Sequence, residues 1–227
     1  MTTVLIRLDA PIQSWGVESV FEQRDTAAMP TKSGVIGLVA ACLGRGRTEP
    51  IDDLAAAGFA VRCDQPGVPG TDYQTIGADG VYSADGKVLP QSKISRRRYL
   101  QDAVFSCAIG CPGELAGQIA HALRHPVYTP YLGRKSCPPA APLFIATTED
   151  EPRQALMLLP FQGRGPAPAT VRMVVDDPEG PSFSWDQPVT FAPDHRGNTM
   201  RRTRTVIIPL APAGQILAGD DPYGVLT

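Results

Sequence analysis

Residues 4–44 are VLIRLDAPIQSWGVESVFEQRDTAAMPTKSGVIGLVAACLG, and this stretch decides the fold. Its first apolar residues alternate along Val4–Leu8, which predicts a buried strand. A polar and aromatic loop, Gln13–Gly16, follows the strand, and we expect this loop to be exposed. The apolar segment Ser33–Leu43 predicts a helix that Thr31 caps and that the next glycine ends in a left-handed conformation. An exposed loop and a polar helix start after a buried strand indicate a site for a negatively charged or base-containing partner.

The segments that follow alternate between strand and helix patterns. In chain order they predict a short helix at 51–57, a strand at 59–63, a long excursion at 64–90, the longest strand at 97–109, a helix at 113–124 and a strand at 143–146. The excursion is rich in Gly, Pro and Asp and contains the turn signal Ala84–Lys87, so we expect a hairpin that leaves the main sheet. The order of elements is that of the split strand-helix-strand, ferredoxin-like plan, and the fold class is therefore α+β.

The last third of the chain has a different composition. The Pro- and acid-rich stretch Glu149–Pro152 predicts a boundary between a ferredoxin-like domain, residues 1–149, and a smaller β-rich C-terminal part, residues 150–227. The strands predicted in this second part are 171–175, 189–191 and 205–210.

Composition limits the classes of protein that need to be considered. The 227 residues are enough to bury a core, and no apolar run approaches the length that a membrane span needs. The first residues lack a basic region and an apolar core, so we expect no signal peptide and no membrane association. The five scattered cysteines suit a reducing compartment, and we expect a cytoplasmic protein. The net charge of −2 excludes a generally basic nucleic-acid binder, although basic residues cluster locally.

The helix start at Thr31-Lys32-Ser33 is a candidate anion site. Free backbone amides, the positive end of the helix dipole and a lysine together suit phosphate. An ordinary capped helix with a solvated lysine is an equally good interpretation of this motif alone. The glycine-rich spacing of a nucleotide P-loop is missing.

The loop before this helix is a candidate site for an RNA base. Trp15 could stack on a base while Gln13 hydrogen-bonds to its edge, with Ser14 between them. The alternative, that Trp15 covers the core, is the more common role of a tryptophan.

Two further clusters carry positive charge. Arg96, Arg97 and Arg98 precede Tyr99 at the start of a predicted strand, where alternation sends at least one arginine toward the core side unless an acidic partner such as RNA covers it. Gly133, Arg134 and Lys135 form a predicted tight turn in which glycine permits close contact with a phosphate chain. The alternatives are a solvated strand end and a surface turn.

The sequence offers little for catalysis or metal binding. His121 and His125 have helical spacing, but neither they nor His195 belong to a metal-binding or acid-base motif. Cys107 and Cys111 have no second pair of cysteines for a zinc site. We therefore expect no catalytic residues, no metal and no cofactor.

The same segments resemble the CasD family, the Cas-five type of RAMP subunit in the type I-E CRISPR Cascade complex. The matching pieces occur in family order over the first two thirds of the chain. They are Gln13–Gly16, the run from Arg24 to Leu38 that contains Pro30-Thr31-Lys32-Ser33-Gly34, Asp72–Thr75, Arg98–Phe105 and Tyr131–Pro139.

The resemblance implies a ferredoxin-like, RRM-like RAMP domain with a protruding thumb at about 72–94. It also implies a non-catalytic subunit that binds the 5′ handle of CRISPR RNA (crRNA), caps one end of a Cas-seven type backbone filament and contacts the large, PAM-reading subunit. In a related subtype the corresponding subunit is a metal-independent endoribonuclease, which is the alternative function. The RNA-binding residues that follow from the chemistry and the resemblance are Gln13, Ser14, Trp15, Arg24, Thr31, Lys32, Ser33, Arg96, Arg97, Arg98, Tyr99, Gly133, Arg134 and Lys135.

Overall fold

A seven-stranded antiparallel sheet forms the centre of the protein in a computed structural model that describes residues 1–16, 19–20, 23–77, 80–82, 86–89 and 92–210. The described strands are β1 (Thr2–Asp9), β2 (Ile12–Gln13), β3 (Ser19–Val20), β4 (Gln23–Arg24), β5 (Gly58–Gln65), β6 (Val68–Ile76), β7 (Val81–Tyr82), β8 (Val88–Leu89), β9 (Lys93–Gln101), β10 (Val104–Cys111), β11 (Phe144–Thr148), β12 (Thr170–Asp176), β13 (Ser182–Thr190) and β14 (Gly197–Pro209). The described helices are α1 (Lys32–Cys42), α2 (Asp52–Ala55), α3 (Gly113–Arg124) and α4 (Pro152–Leu158).

The large sheet has the strand order β11-β1-β10-β5-β12-β14-β13, and all its pairs are antiparallel. Strand β10, the third in this order, is buried at every residue and pairs with β1 from Thr2↔Cys111 to Asp9↔Val104. One face carries a core built with α1 and α3, and the other face carries a smaller core built with α4. The structure therefore mixes helices and strands around a large antiparallel sheet, which agrees with the prediction of a chain that contains both.

The predicted long strand at 97–109 is two strands. Asp102 has a φ of 55°, and the chain turns there from β9 into β10. Strand β9 pairs with β6 from Val68↔Gln101 to Ile76↔Lys93 and belongs to a second, smaller sheet with β2, β4 and β3. The excursion predicted at 64–90 does leave the main sheet, and its first arm is β6, but its second long arm is β9, which lies beyond the predicted end at residue 90. Ala84–Asp85 of the predicted turn lie outside the described residues.

The C-terminal strands continue the main sheet. Strand β12 pairs with β5 from Arg172↔Cys63 to Val175↔Ala60, and β14 and β13 follow beyond it. The prediction of a strand at 189–191 was largely wrong, because β13 begins at Ser182. Helix α4, which begins at the proline of the predicted boundary, was not foreseen.

Four charged side chains tie the end of the chain to its first helix. Asp186 of β13 accepts a hydrogen bond from the Lys32 amide (2.7 Å) and pairs with Arg201 of β14 (2.7 Å). Asp176 of β12 pairs with the Lys32 ammonium (3.1 Å), is hydrogen-bonded to the Arg201 guanidinium and accepts from the Phe59 amide (3.1 Å). This four-charge network connects α1, β5 and the three C-terminal strands on the α1 side of the sheet.

A second buried pair holds the opposite face. The guanidinium of Arg62 in β5 donates to Asp64 (2.6 Å) and to the backbone carbonyls of Leu156, Leu159 and Pro160, at and after the end of α4. Asp64 also accepts from Ser106 of β10 (2.7 Å). A cation at the carboxyl end of a helix satisfies carbonyls that have no partner within the helix, so this pair seats α4 on the sheet.

Asp186→Ala should destabilise the protein by about 3 kcal/mol, since it removes one of the two carboxylates that pair with the buried Arg201 guanidinium and leaves the Lys32 amide at the helix start without its acceptor. Urea denaturation of the variant and the parent protein measures the change. The matched control is Asp53→Ala, which removes the aspartate of the partly exposed Arg45–Asp53 pair (2.5 Å) and should cost about 0–1 kcal/mol. Equal losses in the two variants would contradict a special role for the network.

Candidate nucleic-acid interface

A polar cleft of about 320 Å³ opens where the 13–16 loop, the start of α1, β9 and the turn after α3 meet. Eight of the fourteen predicted RNA-binding residues line it, together with two glycines and one further arginine. The lining residues are Ser14, Trp15, Gly16, Arg24, Thr31, Ser33, Gly34, Arg97, Gly133, Arg134 and Arg196. The cleft therefore joins segments that are far apart in the sequence.

Four arginines give the cleft its charge. Arg24, Arg97, Arg134 and Arg196 come from four different segments, and the described lining contains no carboxylate, histidine or lysine. None of the four has a carboxylate partner among the described residues. Unneutralised guanidinium groups in a concave site attract anions and present paired donors to phosphate oxygens.

Arg134 is held in place by three contacts. Its guanidinium donates to the backbone carbonyls of Arg98 (3.1 Å) and Arg24 (2.9 Å) and lies over the ring of Tyr99, 4.6 Å from its centroid. These contacts use neutral partners and leave its positive charge uncompensated. Arg134 therefore fixes the distance between β4, β9 and the turn while it faces the cleft.

The turn that carries Arg134 depends on Gly133. This residue has a φ of +88°, and a Cβ atom there would overlap the backbone carbonyl of Ser14. The Ser14 amide donates to the Leu132 carbonyl (3.1 Å), so the turn and the 13–16 loop are in direct backbone contact. We predicted contact with a phosphate chain at Gly133, whereas the close approach in the structure is to the 13–16 loop of the protein itself.

The expectation that the Gln13–Gly16 loop is exposed was wrong for three of its four residues. Gln13, Ser14 and Trp15 are 0%, 2% and 1% exposed. The Gln13 amide donates to the carbonyls of Leu8 (3.0 Å) and Ala103 (2.7 Å), and the Trp15 indole donates to Gln13 (3.1 Å). The burial of Trp15 therefore supports the alternative interpretation, in which it is a core residue.

Comparison with known proteins gives a consistent result. The sequence matches the family described as CRISPR-associated protein (Cas_Cas5) over residues 3–204. The chain belongs to this Cas5 family. It is 36% identical over 170 residues to the CRISPR system Cascade subunit CasD of Escherichia coli (strain K12), covering 68% of this chain and 75% of that protein.

Solved structures resemble this Cas5 chain over nearly its whole length. One, described as a CRISPR RNA-guided surveillance complex, has a TM-score of 0.82 at 31% identity and covers 98% of this chain and 96% of its own. Another, described as the crystal structure of a Cas protein, has a TM-score of 0.74 at 35% identity and covers 91% and 95% of the two chains. The similarity therefore extends into the C-terminal strands, where the sequence motifs were weakest.

The start of α1 differs from the predicted anion site in this Cas5 protein. Thr31 caps the helix as predicted, accepting from the Gly34 amide (3.2 Å), but the Lys32 amide is bound by Asp186. The Lys32 side chain is buried against Asp176, and burial lowers the pKa of its ammonium despite that carboxylate. The carboxylate of Asp186 thus occupies the place predicted for phosphate. Lys32, which we expected to face solvent or phosphate, is instead buried.

The remaining predicted residues lie beside the cleft. Arg96 and Arg98 are exposed, the first over the ring of Tyr73 (5.7 Å) and the second paired with Asp25 (3.4 Å). Tyr99 is buried in the main core, and Lys135 is exposed at the turn. We expected one of the three consecutive arginines on the core side unless an acidic partner covered it. Arg97 is that residue, since it shares a face of β9 with buried Ser95 and Tyr99, is half-buried and lines the cleft.

Arg196 was missing from the predicted set. It lies over the ring of Phe191 (5.9 Å), which packs against Gly37 of α1, and so reaches the cleft from the loop between β13 and β14. The sequence signal was the basic cluster at 196–204, but nothing local indicated that the chain returns to α1.

The other candidate chemistry lies apart from the cleft. His121 in the last turn of α3 and His125 directly after the helix are exposed, with ring centroids 4.9 Å apart. No group of three metal-binding side chains occurs within the described residues. All five cysteines are buried, and burial raises the pKa of the Cys42 and Cys63 thiols to about 11. In the described part of the chain no helix is long and apolar enough to cross a membrane.

Gly133→Ala should cost well over 2 kcal/mol of stability, because it adds a Cβ against the Ser14 carbonyl at a positive φ. Gly165→Ala is the matched control, since Gly165 has a φ of +78° and open space around it. That control should lose only about 1 kcal/mol. Thermal unfolding of both variants measures the difference, and similar melting temperatures would argue against the overlap with Ser14.

Proposed function

We propose that this Cas5 protein is a non-catalytic crRNA-binding subunit of a Cascade-type, CRISPR RNA-guided surveillance complex. In this proposal it binds the 5′ handle of the crRNA and caps one end of the backbone filament. The family match, the similarity to CasD and the similarity to a chain of a surveillance complex support it. The observation that carries the RNA contact is the cleft with four arginines and no carboxylate in its described lining.

The cleft suits a single-stranded RNA backbone better than a compact nucleotide. Its arginines come from separate segments, so they can contact successive phosphates along a chain. Such contacts give affinity and hold the register of an RNA strand. The hydroxyls of Thr31 and Ser33 and the backbone of the glycines that line the cleft offer further hydrogen-bond donors. Because the described lining of the cleft has four arginines and no acidic residue, its positive potential also favours fast association with polyanions.

The finer description of the fold is part of the same proposal. Strands β1, β5, β10 and β11, with α1 after the first and α3 after the third, follow the order of a ferredoxin-like, RRM-like RAMP domain in residues 1–149. The β6–β9 hairpin is the proposed thumb at about 72–94. The proposed smaller β-rich part is 150–227, and its described residues share the main sheet through the β5–β12 pair.

The proposal assigns no cleavage to the cleft. In-line attack by a 2′-hydroxyl needs a general base within hydrogen-bond reach, and the described lining supplies guanidinium and hydroxyl groups only. The alternative function, a metal-independent endoribonuclease, has one observation in its favour, because exposed His195 directly precedes Arg196 of the cleft. The proposed partners are the crRNA, the Cas-seven type backbone subunits and the large PAM-reading subunit, in the cytoplasm.

Arg97→Ala and Arg134→Ala should each weaken binding of a synthetic 5′-handle RNA about tenfold and reduce the slope of log Kd against log salt by roughly 1. Fluorescence anisotropy over a salt series measures both quantities. The control is Arg153→Ala, on α4 at the other face of the sheet, which should bind like the parent protein. Lys32→Ala should instead lower stability, because Lys32 is buried in the four-charge network. Unchanged binding by both cleft variants would place the RNA elsewhere.

The purified protein should bind CRISPR repeat RNA without cutting it, in EDTA or in magnesium. Denaturing electrophoresis of end-labelled RNA after long incubation tests this. A discrete cut within the repeat that His195→Ala abolishes would replace the structural function by the endoribonuclease. His121→Ala, on the distant α3, is the control, because this variant should still cut if His195 is responsible. Cutting that persists in both variants would indicate contamination by another nuclease.

A further inference from the structure

The main sheet ends at a strand whose outer edge is open. Strand β13 pairs with β14 on one side, and on the other side no described strand or backbone group hydrogen-bonds to its main chain. Native proteins generally protect sheet edges with charge, prolines or a covering segment, because an open edge can accept a strand from another chain. Here Pro188 and a register shift against β14 between Ser184 and Gln187 make the second half of β13 irregular, but no described backbone segment pairs with the outer edge of Phe183–Gln187.

The open edge adjoins an apolar patch, formed by Phe183, Trp185 and Met200. These side chains are 57%, 61% and 58% exposed. Asp186 follows Trp185 and Arg201 follows Met200, and both of these charged side chains point toward α1 in the four-charge network. Side chains alternate along β14, so Met200 points away from α1, and the register pairs Phe183 with Arg202 on that same outer face. Trp185 lies at a register shift of β13 and is exposed beside them.

One cation completes the patch. Arg202 lies over the ring of Phe183, 5.0 Å from its centroid, and has no carboxylate partner among the described residues. Its neighbour Arg204 differs, because its charge is matched by Asp177. An apolar surface with a single unmatched guanidinium is complementary to a protein segment with apolar side chains and a carboxylate. It is poorly suited to RNA, whose contacts need several cations in a row.

We propose that β13 is a docking strand for a neighbouring protein subunit of the surveillance complex, an inference that rests on the proposed function. An extended segment of that subunit adds to the sheet along Phe183–Gln187. Its apolar side chains cover the patch, and an acidic side chain pairs with Arg202. Main-chain hydrogen bonds at an open edge supply affinity, and alternate side chains supply specificity.

The position of β13 links this docking to the RNA cleft. Asp186 of the same strand binds the start of α1, whose Thr31 and Ser33 line the cleft. The docked segment and the RNA therefore contact opposite faces of one rigid assembly, and neither needs to displace the other.

Hydrogen–deuterium exchange on the whole protein tests the proposal. The amides of 183–187 that point away from β14 should exchange readily in the free protein and remain unprotected with the 5′-handle RNA alone. They should become protected when the protein is co-assembled with the other protein subunits of its own CRISPR locus and a crRNA. An assembled complex in which 183–187 still exchange as in the free protein overturns the docking proposal and leaves the proposed function intact. A protein that enters no complex overturns both.

Substitution in the patch gives an independent test. Trp185→Ser and Met200→Ser should reduce the yield of assembled complex at least severalfold, measured by native mass spectrometry, with parental RNA affinity and melting temperature. Ile207→Ser is the control, since Ile207 is 64% exposed on the same β14 but on the opposite face from Met200. Parental assembly by both patch variants overturns the proposal. So does a concentration-dependent dimer of the isolated protein that Trp185→Ser abolishes, because it would assign the edge to a second copy of this chain.

Discussion

The network of Lys32, Asp176, Asp186 and Arg201 is the constraint on which the rest of the structure depends. It joins residues separated by about 150 positions in the sequence and lies where α1 begins, which is also the wall of the cleft. Isolated charges at this depth would be strongly unfavourable, so each of the four requires the other three. The C-terminal strands therefore complete the first helix rather than merely extend the sheet.

This arrangement changes the source of positive potential in the cleft. The amide at the start of α1 and the ammonium of Lys32 are both matched by carboxylates of the C-terminal strands. The charge that remains belongs to arginines on the surrounding loops and strands. Because guanidinium groups stay protonated and form paired hydrogen bonds, the cleft keeps its charge over the whole physiological pH range. Buried Trp15 forms its floor and packs against Gly34, where a Cβ would lie 2.9 Å from the indole ring.

Local patterns in the sequence predicted the local structure well. Alternating apolar residues located β1, the Thr31 cap located α1, and the glycine-rich segment located the hairpin that leaves the sheet. The same patterns did not show that Gln13 and Trp15 are buried, because a polar loop is recognised as internal only when its partners, the carbonyls of Leu8 and Ala103, are known. Lys32 was misjudged for the same reason, since its partners lie far along the chain. The strand predicted at 97–109 is divided at Asp102, whose single positive φ is a backbone feature that few sequence patterns indicate.

The β6–β9 hairpin is continuous with two strands of the main sheet, since β5 leads into β6 and β9 leads into β10. The chain passes from one sheet to the other at Gly67, with a φ of +71°, and at Asp102, with a φ of 55°. Arg97 on β9 lines the cleft, and the carbonyl of Arg98 holds Arg134. The strand that carries Arg97 to the cleft is therefore the same strand that forms one arm of the hairpin. A partner that binds along the hairpin arms makes its contact on the element that sets the position of two cleft arginines.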